Sequence, residues 1–279
     1  MSKNLKDLIK NSQPGPTEST IRQASKSPSK ESIVWIVAEA DDDAGLYGRM
    51  YDDFFVYALP STDAGGHKSC KNVEEIVQNI LSDCSIKIIG IRDKDYTSFI
   101  RYSKPANIFL TDRRDIEMMI IESKQGKITP FVNPNSLSDV FSYAKQIGYY
   151  RIFNDQENLG FCFDDIDADD YWDFPNKCLK AGWRTVLESF FFNHITSTLH
   201  VTQLKQKYNT LATRLNAGNY SDYDICQGHE VVYLLKRTGT NDLNKLDKDL
   251  FGWYTKTDYS STCLANEIKN WAQRNSCRM

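Results

Sequence analysis

Three carboxylates carry the chemistry this sequence suggests most directly. Glu39 follows the apolar run Ile33-Val34-Trp35-Ile36-Val37-Ala38, and Asp93 and Asp95 follow a second such run, Ile86 to Ile91. If the two runs are neighbouring strands, their carboxyl ends meet, because loops there are free to carry polar groups while the sheet fixes where those loops begin. Converging carboxylates raise one another's pKa unless a cation sits among them. Oxygen donors with no His or Cys close by in the chain select a hard ion, Mg2+ or Mn2+, which keeps waters and recruits phosphate oxygens. A phosphate ester is therefore the expected substrate, with the metal activating water and stabilising the departing oxygen in an in-line displacement. Asp93-Lys94-Asp95 alone is weak, since Asp is common in loops after strands. A Glu directly after one apolar strand, joined by D-x-D directly after another, is considerably more specific.

The elements that must position these acids can be read from periodicity. Ile33 to Ala38 is β-branched, continuous and of strand length, as in a strand buried on both faces. Asp41 to Tyr51 reads as a helix whose acidic start suits the positive end of its dipole. Phe54 to Leu59 is a second strand, Val73 to Leu81 a second helix, Ile86 to Ile91 a third strand and Asn107 to Leu110 a fourth. Thr111 or Asp112 is expected to cap a helix from Arg113 to about Glu122. The βαβαβ order predicts an α/β fold with a mostly parallel sheet flanked by helices.

The remainder predicts a mostly helical C-terminal lobe. Its helices are expected at Ser136 to Ile147, Tyr171 to Thr198, Gln203 to Leu215, Glu230 to Arg237 and Cys263 to Gln273, with Pro175 and Gly182 making the Tyr171 segment two elements. Only Leu159 to Phe163 reads as a strand there. Residues 1–31, rich in Ser, Lys, Pro, Gln and Asn, read as a mobile tail in which Leu5, Leu8 and Ile9 could form a short helix. The expected division is thus a tail at 1–31, a metal-binding core at 32–125 and a helical lobe at 126–279.

Composition narrows the function classes. The 279 residues are 41% hydrophobic and 25% charged, which is ordinary globular usage. No apolar run is long enough to span a bilayer, and no secretory leader is expected from MSKNLKDLIK, so the expected setting is cytoplasmic with no membrane partner. Seven cysteines without a C-x-x-C pair argue against a disulfide framework and a structural zinc site. A net charge of −3 is not that of a protein binding nucleic acid through a basic surface, so such binding would need cations, a local basic patch or a partner.

Beyond single residues, the segments Ile33 to Tyr47 (IVWIVAEADDDAGLY), Ile88 to Tyr96 (IIGIRDKDY), Phe109 to Ile120 (FLTDRRDIEMMI) and Gly228-His229-Glu230 resemble the TOPRIM-like nucleases. That family includes the Old-type enzymes and the AriB-like subunits of PARIS-type anti-phage defence systems. The resemblance covers roughly residues 33 to 237, densely in the first half and sparsely in the second. It implies a Mg2+-dependent (or Mn2+-dependent) endonuclease acting on RNA, including tRNA, or DNA, the toxic effector of a defence system under control of an ATPase subunit of the ABC/AAA type. It implies Glu39 as metal ligand or general base, Asp93 and Asp95 as metal ligands, and Asp43 and Glu117 as acids that complete the shell. A homodimer is among the assemblies it allows. One departure is Ala40, where many relatives have Gly, so the backbone there must avoid a conformation that only Gly tolerates.

Other readings stand beside these. Asp41, Asp42 and Asp43 could simply favour a helix N-terminus, and Glu117 could be a surface residue. His229, near a helix start, is more often structural than catalytic in such a place. Lys94, Arg113 and Arg114, with Lys68, Lys71, Arg92, Arg101 and Lys104, could receive a phosphodiester backbone. The acidic run Asp164 to Asp170 lacks the Gly and terminal Glu of a calcium loop and reads as a solvated, helix-capping loop. A non-catalytic binding or sensor subunit of an ATPase complex, or a phosphatase or nucleotide hydrolase using the same carboxylates, are the alternative functions.

Overall fold

The apolar run after residue 32 becomes a strand buried at every position, because it lies in the interior of a parallel sheet with helices over both faces. A computed structural model of the chain describes residues 15–26, 33–51, 56–195 and 200–277. In chain order the main elements are α1 (Pro16–Ala24), β1 (Val34–Ala38), α2 (Asp41–Met50), β2 (Val56–Pro60), α3 (Cys70–Asp83), β3 (Lys87–Arg92), β4 (Ile108–Leu110), α4 (Ile116–Ser123) and α5 (Gln125–Ile128). They continue with α6 (Pro134–Glu157), β5 (Trp172–Asp173), β6 (Cys178–Leu179), α7 (Trp183–His194), α8 (Val201–Ala217), α9 (Asp222–Ile225), α10 (Gly228–Thr238), α11 (Leu246–Trp253), α12 (Lys256–Ser260) and α13 (Cys263–Arg274). No described helix is long and apolar enough to cross a membrane.

The chain divides into two compact units, one formed from 1–93, 103–112 and 255–279 and the other from 94–102 and 113–254. This differs from the expected division at 125, since the chain's last helices join the sheet unit rather than the helical one. In the first unit the sheet order is β2-β1-β3-β4, all parallel. Because β2 and β3 flank β1 on opposite sides, right-handed crossovers put α2 and α3 on opposite faces. Trp35, Val37, Ile88 and Ile108 pack with Val73, Ile76, Val77 and Ile80 of α3 on one face. Gly90 belongs there too: a Cβ would lie 2.7 Å from both Ile108 Cδ1 and Val73 Cγ1, so the close approach of α3 to β3 requires glycine.

Part of the expected tail is built into this core. Residues 16–24 are helical, started by Pro16 in the first turn, and Ile21 is fully buried in the cluster with Val73 and Val77. Thr17 donates to the Pro60 carbonyl at 2.6 Å, and Arg22 pairs with Glu18 at 2.7 Å and Asp83 at 3.1 Å. The low apolar content that suggested a tail is explained by how little a helix needs to bury once a formed sheet offers it a slot for one isoleucine. Leu5, Leu8 and Ile9 lie outside the described residues.

Three further expectations are corrected. Asp112 does not cap the helix after β4; its two carboxylate oxygens accept the Cys263 and Leu264 N–H groups, each at 2.7 Å, and so cap α13 in the same unit. Asp115 caps α4 instead, accepting from Met118 N–H at 2.9 Å. In the second unit Leu159 to Phe163 is not a strand, since α6 runs to Glu157 and the segment is irregular before a short 3-10 turn. The Tyr171 segment opens not with a helix but with the two-stranded antiparallel pair β5-β6, and α7 starts only after Gly182 in left-handed conformation (φ 74°). The second unit's core is aromatic, with Tyr150 of α6 stacked on Phe191 at 4.5 Å and on Tyr208 at 4.7 Å.

Because Ile21 anchors α1 through a single fully buried side chain, Ile21→Ala should destabilise the protein by about 2–4 kcal/mol, read as a lower urea midpoint with an unchanged slope. An unaltered midpoint would mean that α1 contributes nothing to the core.

Candidate metal centre

Within the sheet unit, the parallel register aligns Ala38 with Ile91, so the residues just beyond both strands come out side by side. Alternation along β1 puts Glu39 on the same face as Trp35 and Val37, the α3 side. The Asp93 N–H donates to Glu39 Oε1 at 3.0 Å, which brings together two of the three acids singled out by the sequence. They meet through the Asp93 main chain. Arg92, buried beside them, is paired with Glu74 of α3 at 2.6 Å.

The wall of this corner is a seam the sequence did not announce. Ser61, fully buried, places its hydroxyl 3.0 Å from the Glu39 carbonyl and 3.1 Å from the Ser69 carbonyl, and accepts the Ser69 N–H at 3.2 Å. Ser69 in turn caps α3, accepting from Asn72 N–H. The first helical residue is Cys70, and its Sγ lies within 4.8 Å of a Glu39 carboxylate oxygen. Nothing in the spacing of a lone Ser in a loop or a Cys at a helix start marks either residue. None of the seven cysteines is in a disulfide.

Ala40 adopts an extended backbone (φ −129°, ψ 175°), so a glycine is not needed after Glu39. Asp43 accepts the Ala40 N–H at 3.1 Å, which gives it the helix-start role weighed as the alternative to metal binding. Asp41 is paired with Lys68.

The remaining candidate residues belong to the second unit. Asp95 follows Asp93 by two positions and has a left-handed backbone (φ 47°), a conformation Asp tolerates better than most residues. Its N–H donates to the Arg114 carbonyl at 2.7 Å, and its carboxylate lies 3.7 Å from the Arg114 guanidinium. Arg114 is buried, lies over the Tyr96 ring at 4.8 Å and pairs with Asp115 at 2.5 Å. Burial pulls its pKa down, but Tyr96, Asp115 and Asp95 outweigh that and hold the guanidinium charged. Arg113 makes a two-pronged pair with Glu122, both contacts 2.6 Å, and Lys94 lies 3.6 Å from Asp224.

Glu117 is buried and meets His229 Nδ1 at 3.2 Å, so the two residues proposed for separate roles form one pair. Asp115 also accepts the Gly228 N–H at 2.8 Å. A Cβ at Gly228 would stand 2.4 Å from Glu117 Cβ and 2.5 Å from Asp115 Oδ1, so the start of α10 can approach α4 only with glycine there. Asp115 therefore holds α4, Arg114 and α10 at once. It was missed because the acidic N-cap was sought three positions earlier, although an Asp directly before Ile116-Glu117-Met118-Met119 is the capping signal in its ordinary place.

As to what such groups could hold, the carboxylate of Glu39 suits a hard ion such as Mg2+ or Mn2+, and Cys70 adds one sulfur within reach of the same carboxylate.

Next to His229, Glu230 turns inward. Its Oε2 is shielded from solvent with no hydrogen-bond partner among the described residues, as are Arg114 Nε and Arg151 Nε. Burial pushes the Glu230 carboxyl from its ordinary 4.5 up to about 7, against the pull of Arg151 and Arg114. The folded protein thus holds more protons than the unfolded chain between these values, so this group's contribution to stability falls as pH rises from about 4.5 to about 7 and is flat above. Glu230→Gln should shrink the wild-type difference in unfolding free energy between pH 5 and pH 8 by about 2–3 kcal/mol. Chemical denaturation at the two pH values measures it, and equal differences in both proteins would place the Glu230 titration near 4.5. Compared with known proteins, the chain matches no family model and no curated sequence.

Proposed function

We propose that the chain is a TOPRIM-like, divalent-cation-dependent nuclease that hydrolyses phosphodiester bonds, acting as an effector controlled by an ATPase partner. The observation that carries this reading is the contact between the ends of β1 and β3, where Asp93 N–H fixes the Glu39 carboxylate. Glu39 would hold the ion, and Asp93, Asp95 and Glu117 are further acids by the family pattern alone. A bound Mg2+ or Mn2+ supplies charge stabilisation to the phosphate and lowers the pKa of water. The chain's own part is to orient: the Asp93 amide sets one oxygen of Glu39, and Ser61 ties the Glu39 carbonyl to the start of α3. Arg114, kept charged by its carboxylates, is the cation best suited to balance Asp95.

A non-catalytic binding module is favoured by one observation. Arg113 and Lys94, expected to receive a nucleic-acid backbone, are matched to Glu122 and Asp224. That pairing weakens the positive field a phosphodiester would meet.

Incubating the full chain, freed of any co-purifying ATPase, with plasmid DNA and with tRNA in Mn2+ or Mg2+ tests the choice. Wild type should cleave one of them, chelator should stop it, and Glu39→Ala should lower the rate by about a hundredfold or more, as expected when a metal site is dismantled. Cleavage that survives both treatments, or a freed wild type that cleaves neither substrate, would remove the nuclease reading; the latter together with stable ATPase binding would favour the module.

A further inference from the structure

We infer that Cys70 is a ligand of the Glu39 metal centre, so that the centre prefers a thiophilic divalent ion, Zn2+ or Cd2+, over Mg2+. The inference rests on the metal-centre reading above and adds a donor that the all-oxygen pattern does not include. The Cys70 Sγ and a Glu39 carboxylate oxygen lie within 4.8 Å of one another. At the tetrahedral angle of a zinc site, typical Zn–S and Zn–O bonds put the two donors about 3.6 Å apart, so closing the gap by at most about 1 Å lets one ion bridge them.

The approach of the two side chains is built into the unit rather than left to two mobile loops. The fully buried Ser61 hydroxyl lies against the main-chain carbonyls of Glu39 and of Ser69, the residue before Cys70. Cys70 begins a 14-residue helix packed on the sheet through Val73, Val77 and Ile80, and Glu39 directly follows a strand buried along its length. The main chain at both residues is thus fixed by core elements, and only side-chain rotation is left to adjust the approach.

Soft and borderline ions gain from a thiolate where Mg2+ does not. Binding exchanges the Cys70 thiol proton for the metal: the S–H bond breaks, the proton goes to solvent, and an S–metal bond forms with no change of oxidation state. Zn2+ held in this way would occupy the place of the activating ion, so traces of zinc would inhibit a Mg2+-dependent reaction.

The test titrates Cd2+ into the full-length reduced chain and reads the thiolate-to-metal charge-transfer absorbance, with Cys70→Ser and Glu39→Gln alongside; the other six cysteines are common to all three proteins. Circular dichroism and the urea midpoint establish that each variant is folded. The tightest-binding fraction of the absorbance should vanish in Cys70→Ser and weaken by about tenfold or more in Glu39→Gln. Mn2+ binding by calorimetry should need Glu39 and change little in Cys70→Ser. An unchanged Cd2+ titration in Cys70→Ser overturns the inference while leaving the metal-centre reading intact. Loss of the band in Cys70→Ser but not in Glu39→Gln also overturns it, because the thiol would then bind apart from the carboxylate. Mn2+ and Cd2+ binding that are both indifferent to Glu39→Gln would sink the metal centre itself.

Discussion

The alignment of β1 with β3 is the constraint on which the rest of the sheet unit depends. With Ala38 opposite Ile91, both strands end at the same level, and the chain must turn away from the sheet there with its polar groups unsatisfied. Those groups are then used: the Asp93 amide is given to the Glu39 carboxylate, and the Glu39 carbonyl to Ser61. A slip of one residue would send Glu39 to the opposite face of the sheet, because side chains alternate with a period of two. Specific packing opposes that slip: Trp35 and Val37 sit against α3, and Gly90 is the position where Val73 comes close.

Charge is handled by local neutralisation. In the sheet unit Arg92 is matched by Glu74, Lys104 by Glu267 and Lys68 by Asp41. In the other unit Arg113 and Arg114 are matched by Glu122 and Asp115. Buried pairs such as Arg114 with Asp115 contribute little net stability against an apolar replacement, and losing one partner is costly. Their effect is geometric: Asp115, with three groups on its two oxygens, fixes α4 and α10 together, and Gly228 is the residue that lets them close. A net charge of −3 therefore understates how specifically the cations are placed.

Glu117 with His229, and Glu230 behind them, illustrate how neighbours in sequence can have opposite environments. His229 is exposed while the Oε2 of Glu230 is shut away from water among arginines. The helix turn between successive residues, about 100°, is enough to separate a solvent-facing group from one that titrates near neutrality.

How much of this was legible depended on the range of the interactions involved. The four parallel strands, α2, α3 and, in the second half, α6, α8, α10 and α13 follow from hydrophobic periodicity, which is local, and so does the placement of Glu39 and Asp93 at strand ends. Helix α1 was not legible, because its one buried isoleucine has value only against a sheet formed later in the chain. The strand expected at Leu159 to Phe163 failed for the complementary reason: an apolar run with no neighbouring strand to pair with has no use for extended structure, and its Leu159 and Phe161 are buried without it. By itself the sequence determined the order of the four parallel strands with the two helices between them, and which acids stand at strand ends, since both are written in local pattern. Only the tertiary structure decided that Cys70 and Ser61 join Glu39, that Asp112 serves α13, and that Asp115 binds α4 to α10, since each depends on backbone groups distant in the chain being brought within hydrogen-bond or ligand reach.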